Sequence, residues 1–528
     1  MLDRFVSRAS RLLFGICTAA VLLIVIVFQF LSYKRKLEFL LPNYALILLL
    51  LLLLLLFLIW DRSVAAARCR SRRRWNFDRL SCVLTMVLFV CQFYVACNIL
   101  FESGWDVRYI VASAKAMATA QPFDASYFSS YPNNLLLTFI LSYLIRINNA
   151  LGIFIGNQWL MCIVTVNCLI NSLTCLLVYR TARLFLRPSS AFAGFLLAVC
   201  AFGVSPWVVI CYSDSLGLMF PLLTFFLYVR PEPRKKVRWI CRGGSLLVGC
   251  VGYYIKPTAI IMVLAILLVE ALHQLAQKRL AALGHLVAML LCIVLSLGAV
   301  NGVVGLLCQR YDITLDPEQQ IGMAHFLMMG ANEERDGAFL SEDVAFSTSF
   351  STRSERNQAD LQRAVSRYRD FTPGRYGRFL ARKLLTVYND GTFAWGAEGS
   401  FLSTLYPPVN HRISPLLRSI FYYAYSDDQN NGALFPYYAL FAQLIWLNIL
   451  LLSLLSCFVR HPAPYQKAFS ILALTLIGLT AYEILFEARA RYLYLYIPVY
   501  CVLAASGLEF CRLHSIPKFL SRRKESAT

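Results

Sequence analysis

The run from Leu46 to Trp60 is almost unbroken leucine and isoleucine, and Phe39, Leu40 and Leu41 lie just ahead of it. A stretch of that length crosses about 30 Å of hydrocarbon. In a bilayer, backbone N–H and C=O groups must find partners within the segment, so such a run folds as a helix. Similar runs recur into the last quarter of the chain. Of the 528 residues, 59% are hydrophobic and 15% charged, against about 45–50% and about 25% in soluble domains. The pattern predicts an all-α polytopic membrane protein. The first run, Leu12 to Leu31, is long, lacks a small-residue cleavage site and leads straight into the second. It reads as a retained helix rather than a signal peptide.

The formal charge of +21 sits largely in short loops between apolar runs. The strongest cluster is Arg62, Arg68, Arg70, Arg72, Arg73, Arg74 and Arg79. Others are Arg180/Arg183/Arg187, Arg230 to Arg242, Lys278/Arg279, Arg460/His461/Lys467 and the tail with Arg522, Arg523 and Lys524. Loops of this kind face the cytoplasm. No aromatic–basic module accompanies them, so nucleic acid is not an expected partner. The 17 cysteines lie mostly inside apolar runs, and none falls between Gln309 and Ser456. Without paired spacing they predict neither a disulfide framework nor a metal cage. No cofactor is expected, and a divalent metal stays open.

Placing every basic loop inside threads the chain. Leu12–Leu31 goes out, Phe39–Trp60 returns, Leu80–Phe101 goes out, Glu102 to Tyr131 lies outside, and one net crossing must bring the chain back before Arg180. Ala191–Val204, Trp207–Val229, a pair within Gly243–His273 broken at Lys256-Pro257, Leu283–Cys308, Phe435–Phe458, Ala468–Phe486 and Tyr492–Phe510 follow. The expectation is about 12 spans with both termini cytoplasmic in a plasma membrane. Asn133–Gly152 is expected to be interfacial or half-buried, because a full crossing there breaks the parity. Lys34, Arg35 and Lys36 fall outside, against the rule. Four regions result: 1–79, two added spans and a basic loop; 80–308, the core, with a first outer loop at 102–132; 309–432, a large outer region; and 433–528, the last spans and basic tail.

This threading brings unusual polar residues to the outer boundary. Asp106, Arg108, Tyr131, Asn133, Asn134, Asp214, Lys256, Glu487, Arg489 and Arg491 all fall there. Charges beside spans are costly and mark a substrate path or a buried pair. Asp106 follows a span directly; it suits a general base or a helix N-terminus. Tyr131-Pro132-Asn133-Asn134 suits a helix start or a sugar site. Asp214 and Lys256 read as halves of a buried ion pair, and Lys256 equally as a phosphate ligand. Arg489 and Arg491 read as phosphate ligands or an interfacial belt. Asp390 sits in the turn-rich Tyr388-Asn-Asp-Gly-Thr-Phe-Ala-Trp-Gly. His325 lies on an amphipathic stretch and reads as structural or substrate-binding. Arg353 to Arg369 reads as a solvated helix face.

In order and context these motifs resemble the GT-C class of membrane glycosyltransferases, which includes protein O-mannosyltransferases. The features are Asp106 in the first outer loop, Tyr131-Pro132-Asn133-Asn134, Tyr179-Arg-Thr-Ala-Arg183, Ser205-Pro206, Tyr212-Ser-Asp214, and Glu487-Ala-Arg489-Ala-Arg491-Tyr492. The resemblance covers about residues 80 to 510, and its style is similar to uncharacterised Gram-positive members. It implies a GT-C-like helical bundle with interfacial helices in the first outer loop. It also implies inverting transfer from a polyprenyl-phosphate sugar to a cell-envelope polysaccharide, teichoic acid, lipid or protein. Asp106 would be the base, and Lys256, Arg489 and Arg491 would hold the donor phosphate. Arg108, Tyr131, Asn133, Asn134, Asp214, Glu487, His325 and Asp390 would line the substrate site. Two departures stand out: Asp106 is followed by Val107 rather than a second acid, and Tyr-Pro-Asn-Asn replaces Lys-Pro-Pro or His-Pro-Pro. A flippase for a lipid-linked glycan, or a non-catalytic subunit of a polymer complex, would use similar basic grooves.

Overall fold

The computed structural model describes residues 2–31, 40–52, 54–55, 76–277, 280–398, 402–423, 432–459 and 463–515. The basic residues at 34–36, 62–74, 278–279, 460–461 and 522–524 lie outside these, as does most of the expected span Phe39–Trp60.

The helices in chain order include α1 (Leu2–Val27), α2 (Phe77–Ile99), α3 (Trp105–Ala118), α4 (Leu135–Leu151), α5 (Met161–Ala182), α6 (Pro188–Ala198) and α7 (Phe220–Val229). After them come α8 (Lys235–Ile255), α9 (Ile260–Gln277), α10 (Leu280–Arg310), α11 (Met323–Gly330), α12 (Arg353–Arg369), α13 (Pro373–Tyr388), α14 (Phe435–Ser456), α15 (Ala463–Leu485) and α16 (Ile497–Ser515). Among the described residues, 8 helical stretches are long and apolar enough to cross a membrane. The expected count of about 12 includes Phe39–Trp60, which lies mostly outside the described residues, and is not confirmed by these eight. The expected span Ala191–Val204 is the short α6 followed by a π-turn at Val199–Gly203. Trp207–Val229 is split into Pro206–Val209, Ser213–Gly217 and α7. Pro206 and Pro221 supply no backbone N–H to a continuing ladder, which divides the run. The break expected at Lys256-Pro257 is present: Lys256 is extended (φ −145°, ψ 113°) between α8 and α9, as a residue preceding proline prefers.

Helix α5 runs antiparallel to α2. Tyr179 near the end of α5 donates to Asp78 at the start of α2 (2.9 Å), and Gln92 donates to Asn171 midway (2.8 Å). The chain between them therefore leaves and returns at one end of the bundle. Helix α4 is apolar enough to span, yet this parity prevents it from being a lone crossing. It packs along α3, where Arg146 donates to the Met117 carbonyl (2.7 Å).

The region after α10 is tied to the same end. Strand β1 (Phe101–Ser103) pairs antiparallel with β2 (Leu402–Leu405), Phe101 opposite Leu405. Gly330 lies so close to the end of α15 that a Cβ would meet the Leu485 carbonyl oxygen at 2.5 Å. Gly337, at φ +75°, accepts from the Ala488 N–H (2.8 Å). The turn carrying Glu487 to Arg491 is thus clamped from outside. Arg353–Arg369 is a helix with the expected solvated face, and it has a buried edge as well. Arg356 is buried and donates to the carbonyls of Ser347, Glu318, Gln320 and Phe350. It satisfies loop acceptors that would otherwise be orphaned.

Candidate functional site

Helix α3 starts directly after the strand pair. Trp105 holds φ +42°, a left-handed conformation that a bulky residue adopts only under constraint. It turns the indole beneath Arg491, whose guanidinium carbon stands 4.3 Å from the ring centroid. Gly104, not Asp106, is the N-cap. Asp106 sits in the first turn, where the helix dipole favours a negative charge.

The Tyr212 hydroxyl donates to Asp106 across 3.4 Å, and its ring meets Trp105 edge-on with centroids 4.8 Å apart. Two residues on, Asp214 is fully buried (0% exposed). It forms a salt bridge with Lys256, while Arg491 Nε lies 3.6 Å from its second oxygen. Lys256 and Arg491 are 6% and 8% exposed. One buried carboxylate thus has two buried cations, which alone sum to one positive charge. Tyr492 lies between them, its ring 5.1 Å from the Lys256 amine and its hydroxyl donating to Glu487 (2.9 Å).

Tyr127 and Tyr131 form the opposite wall, with ring centroids 5.3 Å apart. Asn134 donates to the Tyr127 hydroxyl (2.7 Å). Burial, reinforced by Asp106 and Glu487, pushes the Tyr131 hydroxyl up to about 12. Behind the Glu487 turn, the Lys383 amine donates to the Gly330 carbonyl. Burial pulls that amine down to about 7, against Glu483 and Glu487, which favour its charge. On the other side of α3, a 220 Å³ cavity is lined by Glu102, Arg108, Lys115 and Trp159 among others.

Of the residues singled out from sequence, the structure brings together Asp106, Tyr131, Asn134, Asp214, Lys256, Glu487 and Arg491. Arg489 adjoins them, its N–H donating to Glu483 (3.4 Å). Arg108 faces the side cavity and Asn133 is exposed. Lys256 is not an open phosphate ligand, because Asp214 already engages it; the ion-pair alternative describes it better. Asp390 accepts from the N–H groups of Thr392 and Ala394 (2.8 Å each) and so builds its own turn. His325 stands apart. Its Nδ1 lies 2.6 Å from the Ser347 hydroxyl, which donates to Asp360 (2.7 Å). That hydroxyl has one proton and gives it to Asp360, so Nδ1 must donate. The direction is opposite to that of a base activating a serine. Trp105, Tyr127 and Lys383 were given no role from sequence, and Tyr212 and Tyr492 stood only as members of the Tyr212-Ser-Asp214 and Glu487–Tyr492 motifs. The aromatic residues adjoin charged candidates, which is a usable signal; Lys383 carries none.

The fold and site define a polytopic helical membrane protein with an acidic, basic and aromatic cluster where several helices end. A family model described as "Conserved hypothetical integral membrane protein" matches residues 2–511, and the chain belongs to that family. No curated protein sequence matches it significantly. Among solved structures, ArnT from Cupriavidus metallidurans in the apo state is similar over 76% of this chain and 77% of that one, at 13% identity and a TM-score of 0.33. That likeness is too loose to carry over a residue or a reaction.

Proposed function

We propose that the protein is an inverting glycosyltransferase that moves a sugar from a polyprenyl-phosphate donor to a cell-envelope acceptor. The reaction takes place at the outer face of a plasma membrane whose cytoplasmic side holds both termini. The observation that supports this reading most is the gathering of Asp106 with the Asp214–Lys256–Arg491 trio at one end of the bundle. A carboxylate and a buried cationic group that share a membrane boundary suit a substrate whose lipid tail lies among helices. The GT-C resemblance in motif order points the same way.

In this reading Asp106 takes the proton from the acceptor hydroxyl. The acceptor oxygen bonds to the anomeric carbon as the bond from that carbon to the phosphate oxygen breaks, and polyprenyl phosphate leaves. Arg491, oriented by Trp105 and Asp214, stabilises charge on the leaving phosphate, with Arg489 beside it. Lys256 acts through Asp214, fixing that orientation. The cavity with Arg108, Glu102 and Trp159 offers hydrogen-bonding groups and an aromatic face for a sugar of the acceptor.

The test is purified protein with a polyprenyl-phosphate sugar and envelope acceptors, reading release of polyprenyl phosphate. Asp106→Asn keeps size and removes basicity. It is expected to cut transfer by about 10²–10⁴, the usual worth of general-base help. Transfer at the parental rate by that variant, correctly inserted, would remove Asp106 from the chemistry.

A further inference from the structure

A second site lies at the other end of the same helices. Arg242 precedes Ile255 by 13 residues in α8, about 20 Å of rise, and Lys467 precedes Glu483 by 16 in α15, about 24 Å. Here a pocket of 540 Å³ opens between the loop at Arg230–Arg234, the start of α8, and the ends of α7 and α15. Its basic lining is Arg230, Arg238, Arg242 and Lys467. Lys467 is paired with the buried Glu270, which also accepts from Tyr228 (2.7 Å). Glu232, an acid in the lining, accepts from the Arg234 N–H (3.1 Å). Among the described residues, Arg230, Arg238 and Arg242 form no ion pair with a carboxylate.

Basic loops on this side need no ligand to explain them. Three features set this one apart. Its volume falls within the usual range for ligand pockets, about 300–1,000 Å³. Arg242 is held over the Tyr228 ring, 5.1 Å from the centroid, and its buried Nε has no hydrogen-bond partner. A smaller apolar cleft shares Phe185, Tyr465 and Ala468 with the pocket and continues to Leu472, Val502 and Leu503. That cleft holds only about 20 Å³, so a chain beside the headgroup lies along these apolar side chains rather than inside a cavity.

We infer that this pocket binds an anionic lipid by its phosphate headgroup, with Arg242 as the half-buried anchor, Arg230 and Arg238 at the mouth, and the adjoining apolar side chains against the lipid chain. A guanidinium presents paired donors that match phosphate oxygens. Arg242 lines the pocket without a carboxylate partner, so a phosphate there meets an uncompensated guanidinium, and two further charges at the mouth favour an anion over a zwitterion.

The full chain, purified in a neutral detergent, is mixed with phosphatidylglycerol or phosphatidylcholine and examined by native mass spectrometry. Phosphatidylglycerol is expected to remain bound at concentrations where phosphatidylcholine does not. Arg242→Gln should weaken its retention about tenfold, as expected for one charge-assisted contact. Arg238→Gln, at an exposed position where folding is not at stake, should weaken it severalfold. Equal retention of the two lipids, or parental retention by Arg238→Gln and by folded Arg242→Gln, overturns the proposal. Complete release of phosphatidylglycerol by millimolar inorganic phosphate also overturns it, by making the site one for free phosphate.

Discussion

Asp214 and Glu270 are both buried carboxylates shared by more than one basic group, and they sit at opposite ends of the bundle. Around Asp214, Lys256 and Arg491 are both largely buried, at 6% and 8% exposed. Around Glu270, the Lys467 side chain is 27% exposed, and His285 Nε2 lies 3.2 Å from the second oxygen. The first cluster is nearly closed: each cation shows only a small edge to solvent, and both are held by Asp214. The second is hinged, because its lysine can turn outward. Charges held largely away from solvent are fixed in place, as a reacting centre requires. Charges beside an open pocket suit a ligand that comes and goes.

Removing each carboxylate tests this contrast most directly. Asp214→Asn strands two buried cations and is expected to cost about 3–5 kcal/mol. Glu270→Gln leaves Lys467 a path to water and should cost about 1–3 kcal/mol. Denaturant unfolding of both variants in one detergent, followed by circular dichroism, measures the difference. Equal losses would erase the distinction between a closed and a hinged cluster.

Acid supplies the next largest effect, and it should act from the end of the bundle that holds Asp214. Burial lowers His325 from 6.5 to about 4, against the pull of Asp343. Between those values the unfolded chain binds a proton that the folded chain does not, so stability rises with pH across the window. Acidification from pH 6.5 to 4 should then remove up to about 3 kcal/mol. His325→Gln should flatten that slope; an unchanged slope would assign the acid sensitivity elsewhere. The smallest effect is expected at the surface. Arg375 and Glu333 are ion-paired but exposed to solvent, so Arg375→Ala should leave stability almost unchanged. A larger loss would mean that this pair clamps α13 onto the site.

Much of this arrangement can be read along the chain. Apolar runs mark α2, α5, α14 and α15, and Pro257 marks the break that frees Lys256 from a helix. Asp106, Asp214, Glu487 and Arg491 stand out because charge beside a span is costly wherever it faces. The count of crossings was less legible: Pro206 and Pro221 divide an apolar stretch without making it polar, so hydropathy alone counts it as a span. Lys383 and Arg356 were hidden for the opposite reason. Each lies in a polar helix that reads as solvated, and only packing against Gly330 or the Ser347 loop buries them.

By itself the sequence determined that the chain crosses the membrane many times, beginning with the apolar run at Leu46–Trp60. That follows because the cost of apolar surface in water, and of unpaired backbone groups in lipid, is set locally, residue by residue. It also marked Asp106, Lys256 and Arg491 as costly and therefore worth explaining. Which charges neutralise one another was decided only by the tertiary structure. Pairing depends on distances of a few ångströms between Asp214, Lys256 and Arg491, which come from segments as much as 277 residues apart. No local pattern encodes that distance; the packing of α3, α8 and α15 around the clamped Glu487 turn does.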